Sequence, residues 1–277
     1  MKRKRLKRSV LLLCTAAVAL IWMFPFVYLV GTSFKAKSDF FTTPPTVFPR
    51  VPTFDNFAAI FSDPSTWLMV SNSAQVAVIT TVLSVVMGTL CAFGLAKLGL
   101  PAWVMGAVVF VLLFIRFYPR IAMVIPFFIS MRDLGLYDTP AAVILAHLGL
   151  TIPFVTWLML IFFQGLPNEL DEAAMIDGAS IMQRFRLVLL PLVMPGIATS
   201  SVLTAVLTWN EFLLASTLTG SKAVMLSIGV ASFITDRGIA YGPMAALSVL
   251  ICAPIIVFAL IMQRYLVEGM TLGAVKG

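Results

Sequence analysis

A chain of 277 residues with 60% hydrophobic and 11% charged types is far from soluble composition, since a soluble domain is nearer half apolar and about a quarter charged. With a mean hydropathy of +1.02, it leaves little room for a water-soluble enzyme or for a disordered chain, which needs low hydrophobicity. The formal charge of +7 points to membrane topology rather than nucleic-acid affinity in so apolar a sequence.

Stretches free of Asp, Glu, Lys and Arg mark the membrane. They lie between Arg8 and Lys35, Asp63 and Lys97, Lys97 and Arg116, Asp138 and Glu169, Arg186 and Glu211, and Arg237 and Arg264. Each suffices, or nearly so, for the roughly 20 apolar residues that cross a bilayer. The spans must be helical, because lipid offers no partner to unpaired backbone groups. The expected helices are 10–33, 71–96, 102–122, 140–164, 190–217 and 242–264, an all-α membrane protein of six transmembrane helices. The basic cluster from Lys2 to Arg8 resembles the start of a secretion signal, but the apolar run continues through Val30, too long for a signal core. Leu13 before Cys14 is a poor lipoprotein cleavage site, so an uncleaved first span is expected.

Basic residues favour the cytoplasmic side. That puts residues 1–9 inside and, with six spans, both termini inside. Segment 34–70 becomes an external loop, with Pro44, Pro45, Pro49 and Pro52 suiting an extended, non-helical course. The core runs over 71–265 and contains a cytoplasmic loop at 166–190; residues 266–277 form a cytoplasmic tail. Cys14, Cys91 and Cys252 sit in apolar runs without CxxC spacing and read as packing residues. One histidine, His147, gives no His-rich metal centre.

The 166–190 loop is the most informative stretch. Asn168 is placed to cap a helix, with Asp171 three residues on, as in a capping box. Glu169, Asp171 and Glu172 add negative charge where the helix dipole favours it. Gly178 stops this helix after about two turns. Ser180 with Gln183 caps a second one. A two-turn helix is not stable alone in water and must dock. Ala173 and Ala174 give it a low profile, and Glu172 and Asp177 offer charge to a basic partner.

Glu172-Ala173-Ala174, Asp177-Gly178-Ala179 and Leu190-Pro191 together resemble the "EAA" loop of permease subunits of binding-protein-dependent ABC importers. Asn72-Ser73, Ala92-Phe93-Gly94-Leu95-Ala96-Lys97, Gly135-Leu136-Tyr137-Asp138-Thr139, Trp209-Asn210-Glu211-Phe212 and the tail from Gly269 to Gly277 extend the likeness to the maltose-permease-like second subunit of carbohydrate importers. Phe93 and Lys97 depart from that pattern, where tyrosine and arginine are commoner. The resemblance implies a type I importer permease fold in which the short helix before Gly178 is a coupling helix seated in an ATPase cleft, Glu172 pairing with basic groups there and Gly178 making the turn after it. It implies a sister permease, two ATP-binding subunits and an external solute-binding protein as partners. ATP and Mg2+ would then sit on the ATPase chains, with no cofactor on this one.

The chain carries no phosphate loop of its own: Gly220-Ser221-Lys222 lacks both the GKS or GKT ending and a leading glycine, since position 215 is Ala. Nor does it hold a GxSxG, HExxH or kinase set. Ionisable residues inside a membrane are functional by default, so Arg116, Arg120 and Glu211 are candidates for the solute path, and an Arg–Glu211 pair is one arrangement. Snorkelling of the arginines to lipid headgroups is the other. Asn72, Gln75, Tyr118, Trp209 and Asn210 add the aromatic and amide groups that sugars use. His147 is expected to bond a neighbouring helix. The expected solute is a mono- or oligosaccharide, with a polyol or glycerol phosphate as the alternative. An intramembrane enzyme is the rival class, and it lacks a nucleophile constellation.

Overall fold

The computed structural model describes residues 2–97, 99–236 and 238–272. Arg237 and residues 273–277, with Lys276, lie outside the described residues. The helices in chain order are α1 (Lys2–Ser33), α2 (Asp55–Ser62), α3 (Pro64–Lys97), α4 (Ala102–Phe117), α5 (Arg120–Asp133) and α6 (Pro140–Gln164). They continue as α7 (Asn168–Ile176), α8 (Ile181–Leu192), α9 (Met194–Trp209), α10 (Leu213–Leu218), α11 (Leu226–Gly229) and α12 (Tyr241–Leu272). Among the described residues four helices (within α1, α3, α6 and α12) are long and apolar enough to cross a membrane. Two bent pairs, α4–α5 at 91° and α8–α9 at 74°, raise the number to six if each pair is one span.

Several expectations need correction. The expected span 102–122 ends at Phe117, and the chain turns at Pro119, which has no N–H to continue the helix. The expected span 190–217 breaks between Leu192 and Met194 near Pro195, and stops again at Trp209. Within α8 the six residues Arg184–Leu189 form a π-helical turn. Segment 34–70 is not extended throughout: α2 occupies Asp55–Ser62, and α3 starts at Pro64 rather than near 71. Asp55 in its first turn supports α2 by the dipole rule. A two-residue hairpin, β1 (Ile234–Thr235) with β2 (Gly238–Ile239), was not anticipated.

Contacts divide the chain into two compact units, residues 1–67 with 229–253 and residues 68–228 with 254–277. In the first unit, α1 exposes apolar side chains all round, Leu11 and Trp22 among them, the pattern of a helix made for an apolar solvent. The loop after it is folded rather than loose. Buried Lys35 donates to the Thr46 carbonyl, Asp39 accepts from the Arg50 N–H, and Asn56 donates to the Ser33 and Lys35 carbonyls. Phe34 packs edge-on against Phe54.

In the second unit α6 is the axis. Its first half buries Ala142, Val143 and Ala146 with Val76, Met131, Leu214 and Leu218; its second half buries Phe154, Val155, Met159 and Phe163 with Ala92, Phe93, Phe185 and Leu189. Small residues let neighbours approach it. A Cβ on Gly88 of α3 would stand 2.7 Å from a methyl of Val155, and one on Gly196 of α9 would stand 2.6 Å from the ring of Phe162. This is the close packing that replaces hydrophobic drive between helices in lipid, and Ser84 and Thr151 add a hydroxyl pair at 2.6 Å across the same interface. Gly88→Ala should therefore destabilise the protein by about 1–3 kcal/mol, the usual cost of overpacking. Thermal unfolding in detergent measures it, and Val155→Ala in the same chain should recover part of the loss.

Candidate functional site: a capped hairpin and a polar cavity at opposite halves of α6

Beyond the C-terminal end of α6, α7 and α8 make a hairpin. Gly178 takes a positive φ of +77°, which an L side chain rarely adopts, and closes α7 after Ile176. Ser180 caps α8 in a full capping box: its Oγ accepts from the Gln183 N–H, while Gln183 Oε1 accepts from the Ser180 N–H. The other expected box is absent. Pro167, not Asn168, occupies the cap position of α7. Asn168 Oδ1 instead accepts from Lys97 Nζ at 3.0 Å, and Asp171 faces α8.

There Asp171 forms a two-point pair with Arg184, Nε to Oδ1 at 2.7 Å and Nη2 to Oδ2 at 2.8 Å. Its side chain is nearly buried, so this fork is worth more than an exposed ion pair. Sequence reading missed it, although opposite charges flanking a glycine turn were its visible signal. The clamp locks α7 to α8 and turns the other face outward. Glu172, Ala173, Asp177 and Gly178 are exposed, Ala174 is buried and Ala179 is half-buried. Leu170, Met175, Ile176, Ile181 and Met182 are also exposed, Ile176 to 86%.

At the N-terminal end of α6 the Gly220-Ser221-Lys222 turn does cradle an anion, and the anion is the protein's own. The Asp138 carboxylate accepts the N–H groups of Gly220 at 2.7 Å, Ala223 at 2.9 Å and Lys222 at 3.2 Å. Asp138 itself adopts φ 59°. Asn72 donates to the carbonyls of Lys222 and Val224, and Ser73 Oγ accepts from the Leu226 N–H. Asn72, expected on the solute path, therefore has its amide N–H groups engaged in holding this turn.

The path candidates do not form one group. Arg116, Arg120 and Glu211 line a small cavity with His147, Thr151, Phe154, Leu150 and Leu207. The Arg–Glu211 pair, one of the two expected arrangements, does not form among the described residues. Glu211 sits in the break after α9 and its carboxylate accepts from the N–H groups of Leu214 and Ala215 at 3.0–3.1 Å, capping α10. Its side-chain neighbour is His147, with Nε2 3.9 Å from Oε2. Nδ1 of His147 donates to the Val143 carbonyl of its own helix at 2.8 Å, not to a neighbouring one. Arg116 lies over the Phe154 ring, 4.8 Å from its centre. Tyr118 lines a separate groove with Phe114 and Phe127. Trp209 lines an apolar pocket with Ala77, Pro254 and Phe258. Gln75 is exposed, and exposed Asn210 donates back to the Val206 carbonyl.

Helices broken inside a bundle, with charged groups at the breaks, are a transporter arrangement. This chain belongs to the family described as binding-protein-dependent transport system inner membrane component, whose model matches residues 84–272. It is 35% identical to the trehalose transport system permease protein SugB of Mycobacterium tuberculosis, over 92% of this chain and 93% of that one. It is 30% identical to the trehalose/maltose transport system permease protein MalG of Thermococcus litoralis over the whole of both chains. Its fold matches a chain of a bacterial ABC transporter for the acidic polysaccharide alginate with TM-score 0.80, at 22% identity, over 96% of this chain and 98% of that one.

Burial works against the charge on Asp138, but the N–H groups of Ala223, Gly220, Lys222 and Ser221 outweigh it and hold the carboxyl below its ordinary value. A depressed acid contributes stability that is complete above the unfolded pKa, about 3.9, and fades as pH falls through the lower folded value. Asp138→Asn should lower the melting temperature at neutral pH, with an expected cost of about 1.5–3 kcal/mol for one hydrogen bond to a charged group. The gap between variant and parent should close below pH 4, as read by thermal unfolding across a pH series.

Proposed function

We propose that this chain is one permease subunit of an ATP-driven importer that carries a sugar across the cytoplasmic membrane. The α7–α8 hairpin carries the reading. It is a rigid lever with a glycine hinge-stop, an internal Asp171–Arg184 clamp and an outward face of apolar side chains beside Glu172 and Asp177. An exposed apolar face rimmed by charge marks a protein contact. The occupant is a separate ATPase subunit whose basic residues meet Glu172. ATP and Mg2+ sit on that companion, and closure of the ATPase pair pulls on α7. The pull moves the helices of the core between inward-open and outward-open forms, so that solute passes by alternating access.

Both termini and the hairpin lie in the cytosol on this reading. The turn at 220–226 and the loop 34–54 face outward, where a solute-binding protein delivers its cargo. A sister permease completes the path. The names of the relatives, for trehalose, maltose and diacetylchitobiose transport, support a sugar as solute. The enzyme reading is weaker on the geometry. Glu211 is held by backbone N–H groups, and the cavity's hydroxyl, Thr151, is bonded to Ser84 and to the His147 carbonyl, which leaves no activated nucleophile among the described residues there.

The test is reconstitution of the complete importer in vesicles. Gly178→Val, strained at a positive φ, and Glu172→Lys, reversed in charge, should cut uptake at least about tenfold, the equivalent of 1.4 kcal/mol of coupling, while ATP hydrolysis continues. Arg184→Asp should do the same, and adding Asp171→Arg should restore uptake by rebuilding the clamp in reverse. Normal coupled uptake by the Gly178 and Glu172 variants would refute the lever. A thermal-shift screen of the external binding protein against neutral sugars, acidic sugars, polyols and glycerol phosphates identifies the cargo.

A further inference from the structure

The cavity at the α4–α5 break has an excess of positive charge and an unpaired nitrogen. Arg116 lies in the last turn of α4. Arg120 opens α5, where the helix dipole disfavours a cation and favours an anion. The one carboxylate lining the cavity, Glu211, already accepts three backbone hydrogen bonds. Neither arginine has an ion-pair partner among the described residues. Arg116 rests a guanidinium face on Phe154, which leaves its in-plane N–H fork for a planar or tetrahedral anion. His147 is 3% exposed; its Nδ1 donates to the Val143 carbonyl and its Nε2 stands 3.9 Å from Glu211 Oε2. That Nε2 is buried and has no hydrogen-bond partner.

We propose that the mouth of this cavity, at Arg116 and Arg120, receives an acidic group of the transported sugar, a carboxylate, sulfate or phosphate ester; the interior beside His147 Nε2 has room for about one water. Two guanidiniums against one carboxylate leave one positive charge in excess, which a monoanionic solute cancels. An uncancelled charge within a membrane span is unfavourable. Arg116 is exposed and Arg120 half-buried, so the anion enters from the Arg116 side. The inference rests on the importer reading above. The same chemistry could be met by a lipid phosphate, and the test separates the two.

The binding-protein screen first identifies the cargo, which is expected to carry an acid group. Uptake of that cargo is then measured in phosphatidylcholine vesicles and in vesicles containing phosphatidylglycerol. Arg116→Gln and Arg120→Gln should each lower uptake of the acidic cargo about tenfold or more, as expected for a lost hydrogen bond to a charged group. They should spare a neutral analogue in which the acid is an amide or alcohol, and the lysine variants should retain part of the rate. Arg132→Gln, on α5 with Arg120 but paired with Asp133 at the surface, should change nothing. A neutral cargo, or equal losses for acid and analogue, overturns the proposal. So does an effect of the glutamine variants that follows phosphatidylglycerol content alone, which assigns the arginines to lipid. If no sugar or related solute drives ATP-dependent uptake at all, it is the importer reading that falls.

Discussion

A backbone amide released from a helix inside hydrocarbon has no water to turn to, and this chain releases several. The helices are interrupted at 118–119, at 193 and at 210–212. Groups freed at such a break must be met by protein, because each unmet one costs several kcal/mol in lipid. Glu211 meets the first N–H groups of α10 with both oxygens. Asp138 gathers the turn at Gly220–Ala223, and Asn72 takes two carbonyls of the same turn. Carboxylates set against clusters of N–H groups are the natural solution, since such hydrogen bonds are about twice as strong as neutral ones. At the 210–212 break the irregular backbone is met by an acid stationed beside it.

This constraint also organises the two ends of α6. At one end stands the hydrogen-bonded turn, near the middle the polar cavity, and at the other end the clamped α7–α8 hairpin. Between them α6 is packed along its length against α3, α4 and α9, with Gly88 and Gly196 permitting near contact. A tightly packed helix is a poor spring and a good rod. The cavity residues His147, Thr151 and Phe154 are all carried on that helix, so the hairpin and the cavity share one tightly packed element.

Local sequence was a good guide wherever the governing interaction was local. The Gly178 stop and the Ser180–Gln183 box were readable because each depends on residues within a few positions. The apolar runs of α1, α3, α6 and α12 were readable for the same reason. What escaped was set by distance along the chain. Asp171 looked like a capping residue until Arg184, thirteen positions away across a turn, claimed it. Asn72 offered sugar-binding chemistry, and only the return of the chain 150 residues later shows what its amide holds. His147 and Glu211 carry no mutual signal in sequence. Pro119 and Pro195 stand at two of the breaks, but whether a proline bends a helix or ends it depends on the packing around it.

Over Gly220, Ser221 and Lys222 the turn is fastened by its main chain, Asp138 accepting N–H groups and Asn72 donating to the Lys222 carbonyl, whereas Ala223, Met225 and Leu226 are anchored by buried side chains as well. A main chain offers those groups whatever residues occupy it, with Gly220 the exception because a Cβ there would press on Asp138 at 2.9 Å. Ser221 and Lys222 are thus free to diverge without loosening their scaffold. A lineage of such proteins could re-tailor this patch for a new companion while the frame beneath it stays put.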